Sequence, residues 1–296
     1  MPSPADDLAA CRESIRRHSR SFYVASRLLP ARVRDAAVAT YAFCRAADDA
    51  VDEAGSTDAA RVRLADVRRR LDCIYRGAPV DTAAARAFAR VVAAARIPRD
   101  EPDALADGMA QDLDTVRIAD DDALLLYCHR AAGVVGRMMS RIMGRDDPDA
   151  LQRAGHLGIA MQLTNIARDV GEDARRDRVY LPSTWLAEAN ATVDDVLALR
   201  PTPPVRSVTK RLLALADGYY TSGIGGIALL PPSCRPAILS AALLYRAIGE
   251  RVRAHGGDGI TARARVGAAR KVGLIAVAGA RCAFDPRLRS PAGAAP

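Results

Sequence analysis

The chain has 296 residues, half of them apolar and only 4% aromatic, with a formal net charge of +8. That supports one large core of Ala, Leu, Val and Ile, and an Ala-rich composition favours helix because Ala loses no side-chain entropy there. The basic residues are dispersed (Arg16-Arg17, Arg68-Arg69-Arg70, Arg175-Arg176, Arg251-x-Arg253) without a nucleic-acid motif, and the six cysteines form no CxxC pair; this argues against DNA or RNA, zinc and a disulfide framework, and for a reduced, cytoplasmic protein.

Apolar residues repeat at helical spacing over residues 6–26, 32–53, 58–75, 81–95, 102–113, 121–143, 148–173, 206–227, 233–254 and 267–281. Strand-like alternation is almost absent, so the expectation is all-α. The first segment carries Asp6, Asp7, Arg12 and Glu13 where a leader peptide needs apolar residues. No run approaches the roughly 18 apolar residues of a membrane span.

The second segment holds Tyr41, Arg45, Asp48 and Asp52, which fall on one helical stripe. That stripe is ordinarily the buried apolar face. Asp48 and Asp52 stand one turn apart, a spacing that destabilises a bare helix. A divalent cation between them removes the repulsion, and Mg2+ suits hard carboxylate oxygens shared with substrate phosphates. Arg45 can hold a phosphate oxygen bidentately. The alternative is a solvated acidic face with an intrahelical Arg45–Asp49 pair.

Further along, Asp112 and Asp114 read more readily as surface acids than as site residues. Asp120-Asp121-Asp122 and Asp146-Asp147-Pro148-Asp149 read as helix N-caps. The segment 148–173 then carries Asn165, Asp169 and Asp173 at i, i+4 and i+8, with Arg168 beside them. Gly171 sits among them at a cost of about 1 kcal/mol relative to Ala, explained by a close approach of a ligand or neighbouring helix, or by a helix already ending. One acidic stripe is common; two, each with an adjacent Arg, are hard to assign to a solvated surface. After the last helical segment, residues 285–296 read as a disordered tail behind a single domain over 1–284.

These residues resemble the squalene/phytoene synthase family, and within it the bacterial phytoene-forming branch. The matching stretches include His18-Ser19-Arg20-Ser21-Phe22, residues 41–53, Gly108-Met109 with Asp112, Tyr127-Cys128, Gly133-Val-Val-Gly136, residues 162–182 and Leu244-Tyr245-Arg246. The resemblance implies the isoprenoid synthase fold, a single helical bundle around a central cavity. It implies that Asp48, Asp52, Asn165, Asp169 and Asp173 bind Mg2+, with Mn2+ as a substitute, and that Arg45 and Arg168 join the four aspartates in catalysis. Substrate contacts are implied for His18, Ser21, Phe22, Tyr41, Arg45, His129, Gln162, Asn165, Arg168 and Tyr245, and Lys271 is the weakest of these matches. His129 stands where the family usually has Tyr, and the segment after Asp114 lacks an expected tyrosine.

The implied reaction joins two geranylgeranyl diphosphates head to head, through a cyclopropylcarbinyl diphosphate, to phytoene in carotenoid biosynthesis. Diphosphate departure is aided electrostatically, and the apolar tunnel excludes water. Squalene formation ends with hydride from NADPH, whereas the implied reaction ends with proton loss, so no NADPH is expected; no GxGxxG follows a strand, although this family need not bind nicotinamide that way. The alternatives are a C15-using squalene or dehydrosqualene-type synthase, and a non-catalytic scaffold member, which predicts eroded Asp stripes. Phe22 and Ser26 share a helix face, and the small Ser26 leaves room for a C20 chain. Isoprenoid diphosphates are the expected partners, with peripheral membrane contact because the product is lipophilic.

Overall fold

The computed structural model describes residues 3–52 and 54–289; the side chains of Arg20, Ser21, Asp52 and Arg289 lie outside the described residues. Helix α1 (Pro4–His18) starts at a capping box, in which the Ser3 side chain accepts from the Asp6 amide and Asp6 answers at the Ser3 amide. Ser19 then ends α1 through its own amide and caps α2 (Arg20–Ser26) with its hydroxyl. The segment 6–26 is therefore two helices, because one residue serves both ends.

There follow α3 (Ala31–Asp52), α4 (Thr57–Arg76), α5 (Ala83–Ala95) and α6 (Asp100–Gln111). Next come α7 (Asp121–Cys128), a π-helical turn (His129–Gly133), α8 (Val134–Ile142) and the long α9 (Pro148–Ala174). The second half holds α10 (Ser183–Glu188), α11 (Val193–Leu197), α12 (Pro203–Gly225), a 3-10 turn (Gly226–Leu229), α13 (Arg235–Ala254), α14 (Ala268–Phe284) and α15 (Pro286–Arg289). The sequence pattern missed α10 and α11, which are too short to show a period. It also missed β1 (Val116–Arg117) and β2 (Arg178–Val179), a two-residue parallel pair that ties the chain after α6 to the chain after α9.

Residues expected to form a disordered tail are in part structured. Pro286–Arg289 is a helical turn, Leu288 is buried, and the Arg235 guanidinium donates to its carbonyl at 2.5 Å. Residues 290–296 lie outside the described residues.

Two apolar clusters flank the middle of the molecule. One joins α1, α3, α4, α5, α6 and α8, with Phe43 stacked on Phe88 at 4.4 Å. The other joins α7 and α9 to α13 around Leu163, Leu212, Leu213 and Tyr220. Glycines let α9 sit backbone-on-backbone against its neighbour: a Cβ on Gly136 would fall 2.2 Å from the Ala154 carbonyl oxygen, and one on Gly158 2.2 Å from that of Ala132. The close seam holds α9, and with it the second acidic stripe, in a fixed rotation.

Candidate active site

Helix α3 aims Arg45 and Asp48 into a polar cavity of about 280 Å³, and α9 aims Asn165, Arg168, Asp169 and Asp173 into the same space. The two stripes thus face each other. The Asp52 and Ser21 side chains fall outside the described residues. Arg45 does make the intrahelical pair with Asp49, at 2.5 Å. It nevertheless lines the cavity with Asp48, and its Nε is buried with no hydrogen-bond partner.

The charges in the cavity are mixed. Asp48, Asp112, Asp169 and Asp173 share it with Arg45, Arg168, Arg176 and Arg178. Burial, then the nearby Asp169 carboxylate, pushes the Asp173 carboxyl up to about 7. Asp169 is neutralised twice: Arg168 donates to it from the adjacent position, and Arg263 donates from Nε at 2.8 Å and Nη2 at 3.1 Å. The Asn165 amide nitrogen donates to Gln162 at 3.3 Å, which leaves the Asn165 Oδ1 buried without a partner. Acids of this density call for a cation and guanidiniums for an anion. A metal-bound diphosphate would answer both, and the buried, unpartnered Asn165 Oδ1 and Arg45 Nε leave hydrogen-bonding capacity unmet on two of the lining side chains. Among the described residues no three His, Cys, Asp or Glu side chains converge closely enough to hold a metal by themselves.

Behind the polar cavity lies an apolar one of about 360 Å³, and Asp48, Gln162 and Asn165 line both. Phe22, Tyr41 and Tyr245 line the apolar cavity, the Phe22 ring 5.3 Å from Tyr245 and 6.2 Å from Tyr41. Burial pushes the Tyr41 phenol up to about 12, so it stays neutral. Ser26 also lines the apolar cavity, and its hydroxyl donates back to the Tyr23 carbonyl at 2.8 Å, which removes it as a polar intrusion.

Three expected contacts sit elsewhere. His18 is exposed at the end of α1, its Nδ1 2.8 Å from the Ser14 carbonyl oxygen. His129 is half-buried on the π turn, and Lys271 is half-buried near the start of α14; neither lines the polar or the apolar cavity. Burial, then Arg137 and Arg130, hold the His129 imidazole below its ordinary pKa, so it is neutral at pH 7.

Four residues carry more than their sequence context suggested. Asp112 accepts the Tyr180 hydroxyl at 2.6 Å and the Tyr127 hydroxyl at 3.1 Å, and all three line the polar cavity. Asp114, by contrast, is exposed and pairs with Arg61. Arg263 reaches Asp169 from an irregular segment 94 residues downstream, a distance no helical spacing can reveal.

A sequence profile described as squalene/phytoene synthase matches residues 15–270. A phytoene synthase from Cereibacter sphaeroides is 46% identical over 95% of this chain and 81% of its own length. A 15-cis-phytoene synthase from a Paracoccus species is 42% identical over 90% of this chain and 89% of its own. Among solved structures, a dehydrosqualene synthase superposes with a TM-score of 0.87 at 29% identity, covering 94% of this chain and 96% of that one. The profile spans most of the chain, and the relatives extend over nearly all of it: the chain belongs to the squalene/phytoene synthase family.

Proposed function

We propose that the protein joins two geranylgeranyl diphosphates head to head to form phytoene, in carotenoid biosynthesis, as a prenyltransferase. The observation that carries this reading is the polar cavity walled by both acidic stripes and opening onto an apolar cavity through Asp48, Gln162 and Asn165. A diphosphate head and an isoprenoid tail need that pairing of environments.

The donor set fits Mg2+, which takes oxygen ligands and leaves positions for water and phosphate oxygens. Asp48, Asn165, Asp169 and Asp173 would hold it, with Asp52 as a further carboxylate of the α3 stripe; Mn2+ accepts the same ligands. The bound metal supplies Lewis-acid stabilisation of charge on the diphosphate oxygens. Arg45 and Arg168, with Arg176 and Arg178 beside them, bind the departing diphosphate through charge-assisted hydrogen bonds. The Phe22, Tyr41 and Tyr245 rings line the apolar cavity, where an aromatic face would stabilise an allylic cation. The apolar lining excludes the water that would quench it. The allylic double bond of the second molecule captures that cation, proton loss closes the cyclopropane ring of the cyclopropylcarbinyl diphosphate, and departure of its diphosphate with rearrangement and proton loss gives the triene, without a nicotinamide.

The setting is cytoplasmic, in peripheral contact with membrane. Among the described residues no helix is long and apolar enough to cross one. The test is incubation of purified protein with C15 and C20 diphosphates and Mg2+, with and without NADPH, followed by product mass analysis. A C40 triene without NADPH is expected. A C30 product, or none, overturns the proposal.

A further inference from the structure

Helix α14 runs for 17 residues along the outside of the bundle, and Ala278 is its one fully buried residue. At about 1.5 Å per residue it is roughly 25 Å long. Its outward arc holds Ala269, Val272, Ala276, Val277, Ala280 and Phe284, filled in by glycine and alanine, with no charged or hydrogen-bonding side chain. Seven large apolar side chains are exposed among the described residues, and three are on this helix: Val272 at 68%, Val277 at 47% and Phe284 at 80%. A continuous apolar face of this kind marks an interaction surface.

Charge indicates the partner. Between residues 264 and 288, Arg265, Arg270, Lys271, Arg281 and Arg287 stand against one carboxylate, Asp285. Arg270 and Arg281 border the apolar arc along one side, paired with Glu250 and Asp285, and the exposed Arg265 and Arg287 flank the helix in the chain; an apolar face bordered by basic side chains is the pattern of a helix lying in the headgroup layer of an anionic bilayer. Position gives the reason. The inner side of α14 packs through Ala278 and Cys282 on Ile227 and Ile238, and those two residues also line the apolar cavity. Helix α14 itself therefore lies one layer of side chains away from the space assigned to the isoprenoid tails.

Resting on the reaction proposed above, we propose that α14 docks the protein on an anionic lipid surface, apolar arc down, so that a water-insoluble product leaves the cavity beside the bilayer. The test is co-sedimentation with phosphatidylcholine–phosphatidylglycerol vesicles in the absence of any diphosphate, using the full chain, V277D/F284D and R265E/R287E. All the substituted side chains are exposed, so melting temperature and turnover in detergent micelles are expected to stay at wild-type values. Each apolar-to-acid change removes burial and adds an ion, so V277D/F284D is expected to lower vesicle partitioning by roughly tenfold or more. R265E/R287E is expected to lower it on anionic but not on neutral vesicles. Wild-type partitioning by V277D/F284D overturns the proposal. So does a wild-type chain that ignores vesicles but forms a dimer in light scattering that V277D/F284D dissolves, because the face then meets a second copy. Vesicle binding that arises only after deletion of residues 290–296 assigns the face to the chain's own end and overturns it too. Failure of the reaction itself would show separately, as intact vesicle binding with no C40 product in micelles.

Discussion

Asp169 and Asp173 stand one helical turn apart but in opposite electrostatic states. Asp169 is held by two guanidiniums, whereas burial and Asp169 itself push the Asp173 carboxyl from 3.8 up to about 7. A folded pKa above the unfolded one means that the folded state binds the extra proton between about pH 4 and pH 7. Stability of the metal-free protein is therefore expected to fall as pH rises through that window and to level off above it. The shift corresponds to at most about 4 kcal/mol. Asp173→Asn removes the ionisation, so in a chelator it should raise the melting temperature at pH 8 by a few degrees and flatten the profile, while turnover is lost. A pH profile identical to wild type would reject this. Arg263 makes a second case, because its guanidinium occupies the carboxylate that a metal would use. Arg263→Ala is expected to lower the half-saturating Mg2+ concentration by roughly two- to fivefold, the worth of a half-exposed pair. Calorimetric titration with Mg2+ and inorganic pyrophosphate measures it, and a raised value would sink the competition.

At the scale of elements, Gly171 explains how Arg263 arrives. A Cβ there would lie 2.4 Å from the Ile260 carbonyl oxygen, and the Gly171 amide donates to the Gly259 carbonyl at 3.0 Å. Two glycines let the loop after α13 lie flat on α9, with Asp258 pinning its turn through the amides of Ile260 and Thr261. Gly171→Ala is expected to cost about 1–3 kcal/mol by overpacking and to shift the Mg2+ titration in the same direction as Arg263→Ala. Gly218 on α12 is the control: nothing lies within 4 Å of its would-be Cβ, so Gly218→Ala should stabilise by about 0.5–1 kcal/mol. Both are read by denaturant unfolding. The contrast also shows what was legible in the sequence. Periodicity relates residues within one helix, so the stripes of α3 and α9 and the cost of Gly171 could be read directly. Helical spacing does not relate a loop to a helix. Arg263 on Asp169, and Leu288 buried beyond the expected end of order, depend on how turns pack against distant elements. The β1–β2 pair escaped for the same reason, because two residues carry no period.

Across the whole molecule, the two apolar clusters leave a cavity that is polar at one end and apolar behind it. The polar end is built from carboxylates and guanidiniums that treat any allylic diphosphate alike, so it cannot choose chain length. Selection falls to the apolar depth, walled by α2, α3, α8, α9 and α13. Ser26 stands on that wall, buried, with its hydroxyl turned back onto the α2 backbone. Small and self-satisfied, it leaves volume without presenting a polar group to the tail. Ser26→Phe places a ring in that volume, and a rigid, close-packed wall does not yield to it cheaply. The expected outcome is a fall in kcat/KM for the C20 diphosphate of roughly tenfold or more, the worth of a few displaced methylenes, with the C15 substrate much less affected. The measurement is a competition between the two diphosphates with product masses read together, alongside a melting curve to show that the variant is folded. Equal losses on both substrates would mean that the ring disturbs the diphosphate end, and an unchanged C20 preference would place the control of depth on another part of the wall.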